Sequence, residues 1–407
     1  MLIFAIMKRL LFLLTMTFPF AVQGQERTIN VKVTNQWVSH KTDEPVVVKL
    51  DEVKRLKFDV RSAMVRLDGR EIPCQLDDMN GDSRADELIF LADIDGGQML
   101  EYEVTLSATR KQNDYAPRVY ADMMLDDKKG KHPLITSIEA PGNSYIYSDL
   151  YHHGAAFESE LTAFRVYFDH RQNIDIYGKK LRRLELNDTH FYTTPKQMQQ
   201  DYGNDVLWAG SSIGCGSLKL WDGTAPQNWE QVTTRGQRIV SKGPLRTVVE
   251  VKDMGVGADE LNVRQLYILY AGHRECEVQV DFSRPLNVER FCTGVQKVGA
   301  SPEGWVRPDG IAASWGGDYP EMGKKDVFPP ETVGLAVYVP SEYVAEQRTD
   351  SLNYLFVVGK QGVSSMKYYI SFCADKEAEG VFHTSKDWFR SLDAWKSSLQ
   401  HPAKVRY

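Results

Sequence analysis

Strict alternation of polar and apolar residues is the feature that most constrains this chain. Glu275-Cys276-Glu277-Val278-Gln279-Val280-Asp281-Phe282 alternates without a break, as a strand does when one face enters a core and the other does not. Thr162–Asp169 repeats the pattern, with Phe164, Val166 and Phe168 on one face and Arg165, Tyr167 and Asp169 on the other. The same signal covers 28–34, 46–50, 57–66, 87–92, 101–107, 181–186, 245–251, 261–270, 333–340, 353–358 and 367–372. Gly, Asn, Asp and Pro punctuate these runs, so the chain is expected to be mainly β, with antiparallel sheets packed as a sandwich. One segment reads as a helix. Thr384 and Asp387 resemble a capping box, Trp388, Phe389, Leu392, Trp395 and Leu399 form one apolar stripe, and His401-Pro402 ends it.

The N-terminus has a different grammar. Lys8 and Arg9 precede an apolar run from Leu10 to Val22, and small residues follow at Val22-Gln23-Gly24. This is the layout of a secretory signal peptide, and the run falls short of the roughly 20 residues that span a bilayer. The spacing predicts a signal segment at 1–24, a small N-terminal β domain at 25–114, a charged and proline-bearing connector at 115–141, and a main β domain at 142–407. No lipid-attachment cysteine follows the apolar run, so the expected location is the periplasm or the exterior, with no membrane attachment after cleavage. Five cysteines, an odd number with no Cys-x-x-Cys spacing, point to buried thiols rather than a disulfide framework.

A formal charge of -6 argues against nucleic acid as a partner, because no basic stripe is available to neutralise phosphates. Eight Trp, 19 Tyr and 17 Phe, many beside polar residues, suit a poly- or oligosaccharide partner, whose apolar ring faces stack on aromatic side chains.

Three constellations could carry chemistry. Asp78, Asn80, Asp82 and Asp86 place oxygen donors at positions one, three, five and nine of a loop, as in calcium sites. Ser83 replaces the usual glycine and no carboxylate stands at position twelve, so an Asx-rich hairpin turn is the competing reading. The second runs from Tyr151-His152-His153 through Glu158 to Arg165, Tyr167 and Asp169. Here His152, His153, Tyr167, Glu158 and Asp169 are candidates for proton transfer, and Arg165 for binding a uronate carboxylate. The third is the small-residue loop from Asn204 to Gly216, bracketed by Trp208 and Trp221. Ser212 sits at its centre without the strand-to-helix setting of a nucleophile elbow. Arg264 and Tyr267, on a later strand, are further candidates for a binding groove.

Gln75–Leu91, Tyr151–Asp169, Ile174–Lys179 and the glycine-serine loop before Trp221 together resemble one family, the domain of unknown function 4861, found in exported proteins of Bacteroidetes. Members tend to be encoded in polysaccharide-utilisation loci beside unsaturated uronyl hydrolases. Gly243–Phe282 is similar in pattern to the large antiparallel supersandwich of galactose mutarotase-like proteins. The resemblance implies an exported protein acting on uronate-containing glycan such as pectin or rhamnogalacturonan, as a lyase or glycosidase. A sugar epimerase or mutarotase, and a non-catalytic glycan-binding protein stacking on Trp208 and Trp221, are the other expectations. Family resemblance assigns no catalytic residues. The only cofactor expected is a structural calcium ion.

Overall fold

The computed structural model describes residues 25–111, 114–258, 260–320, 325, 328–378, 380 and 382–407. The expected signal segment lies outside them.

The N-terminal strands form a two-sheet sandwich. In one sheet Glu26–Thr34 pairs with Met99–Ser107, which leads on to Ser62–Leu67 and Arg70–Ile72; in the other Lys41–Lys49, Glu87–Ile94 and Cys74–Asp77 lie side by side. Alternate residues such as Val31, Val33, Val46, Val48, Phe90 and Val104 fill the space between the sheets. The last strand, Lys404–Arg406, returns to pair with Glu26–Thr34. The chain's C-terminal end therefore completes the first sandwich, where the sequence placed it wholly in the main domain.

The main domain is built on a nine-stranded antiparallel sheet running from Glu303–Val306 at one edge to Ser137–Pro141 at the other. Two five-stranded sheets cover it. One contains Val119–Asp122, Gly154–Ser159, Ala163–Tyr167, Ile174–Gly178 and Asn204–Asp205; the other is centred on Phe291–Gln296. Phe157, Phe164, Ile176, Val249, Val278, Phe356 and Ile370 interdigitate in the core between them. Each such side chain contributes roughly 1.5–3 kcal/mol on burial, so this layer fixes the register of every strand that reaches it. The expected connector is divided by this pairing, since Val119–Asp122 and Ser137–Pro141 are both strands of the main sheets.

Buried polar bonds lock the two sandwiches together. Gln75 donates to the Ser241 hydroxyl at 2.7 Å and accepts from the Leu245 N–H, while Arg246 reaches Asp77 at 2.5 Å and Glu87 at 2.8 Å. The helix Ser385–Gln400 has Thr384 as N-cap, whose hydroxyl accepts from the Asp387 N–H, and it buries Trp388 and Leu392 on the large sheet. All five cysteines are buried. Expectation and structure part at 181–186, which turns into the short helix Leu186–Thr189. The N–H groups of Glu185 and Leu186 are taken by the Glu158 carboxylate, so they are not available to a strand ladder.

Candidate functional site

The candidate site lies on the outward face of the sheet that contains Ala163–Tyr167. Strand alternation sends Phe164 and Val166 into the core and leaves Arg165 and Tyr167 on the other face. Direct pairing then sets Asp122, Ala156, Arg165 and Asp175 in one row across four strands, with Asp205 on the fifth, opposite Tyr177. The chain after Leu186–Thr189 folds back over this face, and a cavity of about 400 Å³ opens beneath it. His153, Arg165, Tyr167, Asp175, Asp205 and Trp208 line it, with Tyr147, Tyr192 and Arg171 closing the walls.

His153 sits in the αL region at φ 67°. Its ring stacks on Tyr147, 3.9 Å between centroids, and its Nδ1 lies 3.1 Å from the Tyr147 carbonyl oxygen. A carbonyl only accepts, so the Nδ1 position carries the proton and Nε2 keeps its lone pair. Burial, then the nearby Arg165 charge, hold the imidazole down at about 4, so it is neutral near pH 7. Tyr167 donates to Asp175 at 2.8 Å, and burial pushes its hydroxyl well above the usual range. Tyr192 is raised to about 12 by burial. Trp208, 48% exposed, presents an open indole at the rim.

Arg165 is not free to meet a substrate carboxylate. It is 2% exposed, lies 4.1 Å over the Phe191 ring, and is bound 2.5 Å from Asp175 and 3.3 Å from Asp205. The guanidinium that remains partly open is Arg171. Its Nε holds Asp169 at 2.7 Å, and its planar group lies against Tyr147 and Tyr167.

Several sequence candidates take structural positions instead. His152 is fully buried with Nε2 3.0 Å from Asp122 and does not line the cavity. Glu158 is also fully buried, where it binds Lys179 at 2.5 Å and caps the Glu185 and Leu186 N–H groups. Asp169 closes a tight turn by accepting from the Arg171 and Gln172 N–H groups. Tyr267 lies in the core with its hydroxyl on Gln265. Trp221 packs on Ile213, Cys292 and Leu355 away from the cavity, so the two tryptophans do not bracket one groove. Ser212 is held by the Ala209 carbonyl at 2.6 Å. The loop's glycines do allow close approach: a Cβ on Gly216 would meet Ile370 at 2.1 Å.

Arg264 belongs to a different strand row, pairing with Glu250 at 2.5 Å and with Asp281.

In the Asp78–Asp86 turn the side-chain oxygens accept backbone donors. Asp78 takes the Gly81 and Ser83 N–H groups, Asp82 takes Arg84, and Asp86 takes Met79 and Asn80. Among the described residues no three His, Cys, Asp or Glu side chains form a metal-binding group.

Asp175, Asp205, Tyr147, Tyr192 and Arg171 were not singled out from the sequence. Asp175 had a readable signal, since it interrupts the apolar run Ile174–Tyr177 at one position.

No curated protein matches the chain. Among solved structures it is similar to a protein in the glycosyl hydrolase family 38 from Enterococcus faecalis, with TM-score 0.49 and 8% identity over 93% of this chain and 47% of that one. It is similar also to an alpha-mannosidase from Enterococcus faecalis V583, with TM-score 0.48 and 7% identity over 93% of this chain and 46% of that one. The chain thus spans about half the length of both. The model of a domain of unknown function, DUF4861, matches residues 33–405, and the chain belongs to that family.

Proposed function

We propose that the protein is an exported carbohydrate-active enzyme that processes uronate-containing saccharide by acid–base chemistry in the His153 cavity. The observation that carries this reading is His153 itself: a neutral imidazole with an unprotonated Nε2, facing a cavity walled by Tyr147, Tyr167, Tyr192 and Trp208. The aromatic walls suit the C–H faces of sugar rings. Arg171 provides the cation for a uronate carboxylate, the role that the sequence suggested for Arg165.

In the elimination reaction, neutralising the carboxylate acidifies the neighbouring C–H. His153 Nε2 accepts that proton, the C–H electron pair becomes a C=C bond, and the C–O bond to the leaving group breaks with protonation of its oxygen. The test is a panel of pectic and other uronate glycans followed by ultraviolet absorbance, reducing-end release and proton NMR. New absorbance supports elimination. New reducing ends without absorbance replace elimination by hydrolysis, and a changed epimer ratio without cleavage replaces it by epimerisation. No change on any glycan, with retention in an affinity gel that Trp208→Ala abolishes, replaces catalysis by binding.

A structural calcium ion in the Asp78–Asp86 turn is a separate element of the reading, resting on donor spacing alone. A thermal midpoint lowered by EDTA and restored by calcium supports it; equal midpoints remove it.

A further inference from the structure

Two carboxyl groups in the cavity share one cation. Arg165 Nη2 lies 2.5 Å from Asp175 Oδ2 and 3.3 Å from Asp205 Oδ2. With Arg165 and Asp175 both 2% exposed at their side chains, two full negative charges against one positive charge would leave an excess charge largely shut off from water. Like carboxyl groups in such a place retain a proton between them.

Their surroundings divide the roles. Asp175 accepts from Arg165, from the Tyr167 hydroxyl at 2.8 Å and from the Ile176 N–H at 3.0 Å. Asp205 has the longer contact to Arg165, accepts from the Leu207 N–H at 3.2 Å, and keeps 27% of its side chain exposed. Part of this side chain faces the cavity, but burial of the rest and then the Asp175 charge push Asp205 well above the usual carboxylate range.

Asp205 also stands at a boundary. Beside the His153 cavity is a second one of about 210 Å³, lined by Phe191, Tyr192 and Phe328, and Asp205 lines both. A group spanning the two chambers would pass its linking oxygen over this carboxyl.

We propose that the Asp205 carboxylic acid is the proton donor of this site, with Asp175 and Arg165 as its positioning residues. The proposal rests on the reading of the cavity as an acid–base site. In the elimination, His153 takes the C–H proton while the Asp205 O–H proton passes to the departing oxygen as its C–O bond breaks. Asp205 is left as a carboxylate and His153 as an imidazolium; exchange with water returns both to their starting forms.

Infrared difference spectroscopy at pH 7 tests the donor without any substrate. Wild type minus Asp205→Asn is expected to show the C=O band of a protonated carboxylic acid; carboxylate bands in its place overturn the proposal. Circular dichroism confirms the fold of the variant, and Asp205→Glu, which keeps the acid, provides the same comparison with a shifted band should the asparagine variant not fold. On a glycan that wild type converts, Asp205→Asn is expected to lower kcat by about 10²–10⁴-fold with little change in KM; an unchanged kcat also overturns the assignment. Should wild type convert no glycan, the cavity reading fails, and the infrared spectrum still decides the protonation of Asp205.

Discussion

Arg165→Met is expected to cost about 3–5 kcal/mol of folding stability, the range for removing one partner of a buried ion pair. Among the described residues the guanidinium is the only cation paired with Asp175, which is almost fully buried. Its loss leaves two carboxyl groups facing one another, and the Phe191 ring loses the planar cation that covers it at 4.1 Å. Arg165→Lys restores the charge but not the flat, forked contact to two carboxyls over an aromatic face, so it is expected to recover only part of the stability. Urea denaturation reads both variants as shifts in midpoint. A midpoint equal to wild type for Arg165→Met would mean that the guanidinium is free, and would return it to the substrate-binding role that its strand position first suggested.

The second large effect concerns His153. His153→Ala is expected to lower kcat by about 10²–10⁴-fold, the usual scale for a removed general base, with the thermal midpoint close to wild type because the ring is only partly buried. The pH dependence has a defined sign. The folded imidazole titrates at about 4, below the unfolded value of about 6.5. Between these values the unfolded chain binds a proton that the folded one does not, so stability rises with pH through that window. The contribution is fully present above the unfolded value and is lost as pH falls toward 4. Activity should follow the same limb, falling as the base becomes protonated near pH 4. A rate profile with its acid limb near 6.5 would contradict the partly buried, carbonyl-bound geometry.

Local pattern made the strands readable, and with them the pairing of Arg165 with Tyr167 on one face. Alternation is a backbone property, and it survives in any register. What one strand meets on its neighbour is set by register, which only the packed core fixes. Asp175 and Asp205 lie on separate strands, 10 and 40 residues from Arg165, and nothing local shows that they share its guanidinium. The same blindness made Glu158 look like a base. Its partners are Lys179 and two N–H groups in a bend that the 181–186 pattern had suggested was a strand. Tyr267 and Arg264 have opposite parity on one strand, so they face opposite sides of the sheet, one into the core and one onto Glu250.

A crystal structure tests most directly whether a saccharide is processed between His153 and Asp205, as proposed. Asp205→Asn protein would be soaked with an unsubstituted oligogalacturonide. The expected result is an ordered sugar in the cavity, with a ring C–H of the uronate pointing at His153 Nε2, its carboxylate on Arg171, and a linking oxygen beside residue 205. An ordered saccharide on another surface, with this cavity holding only solvent, would contradict it.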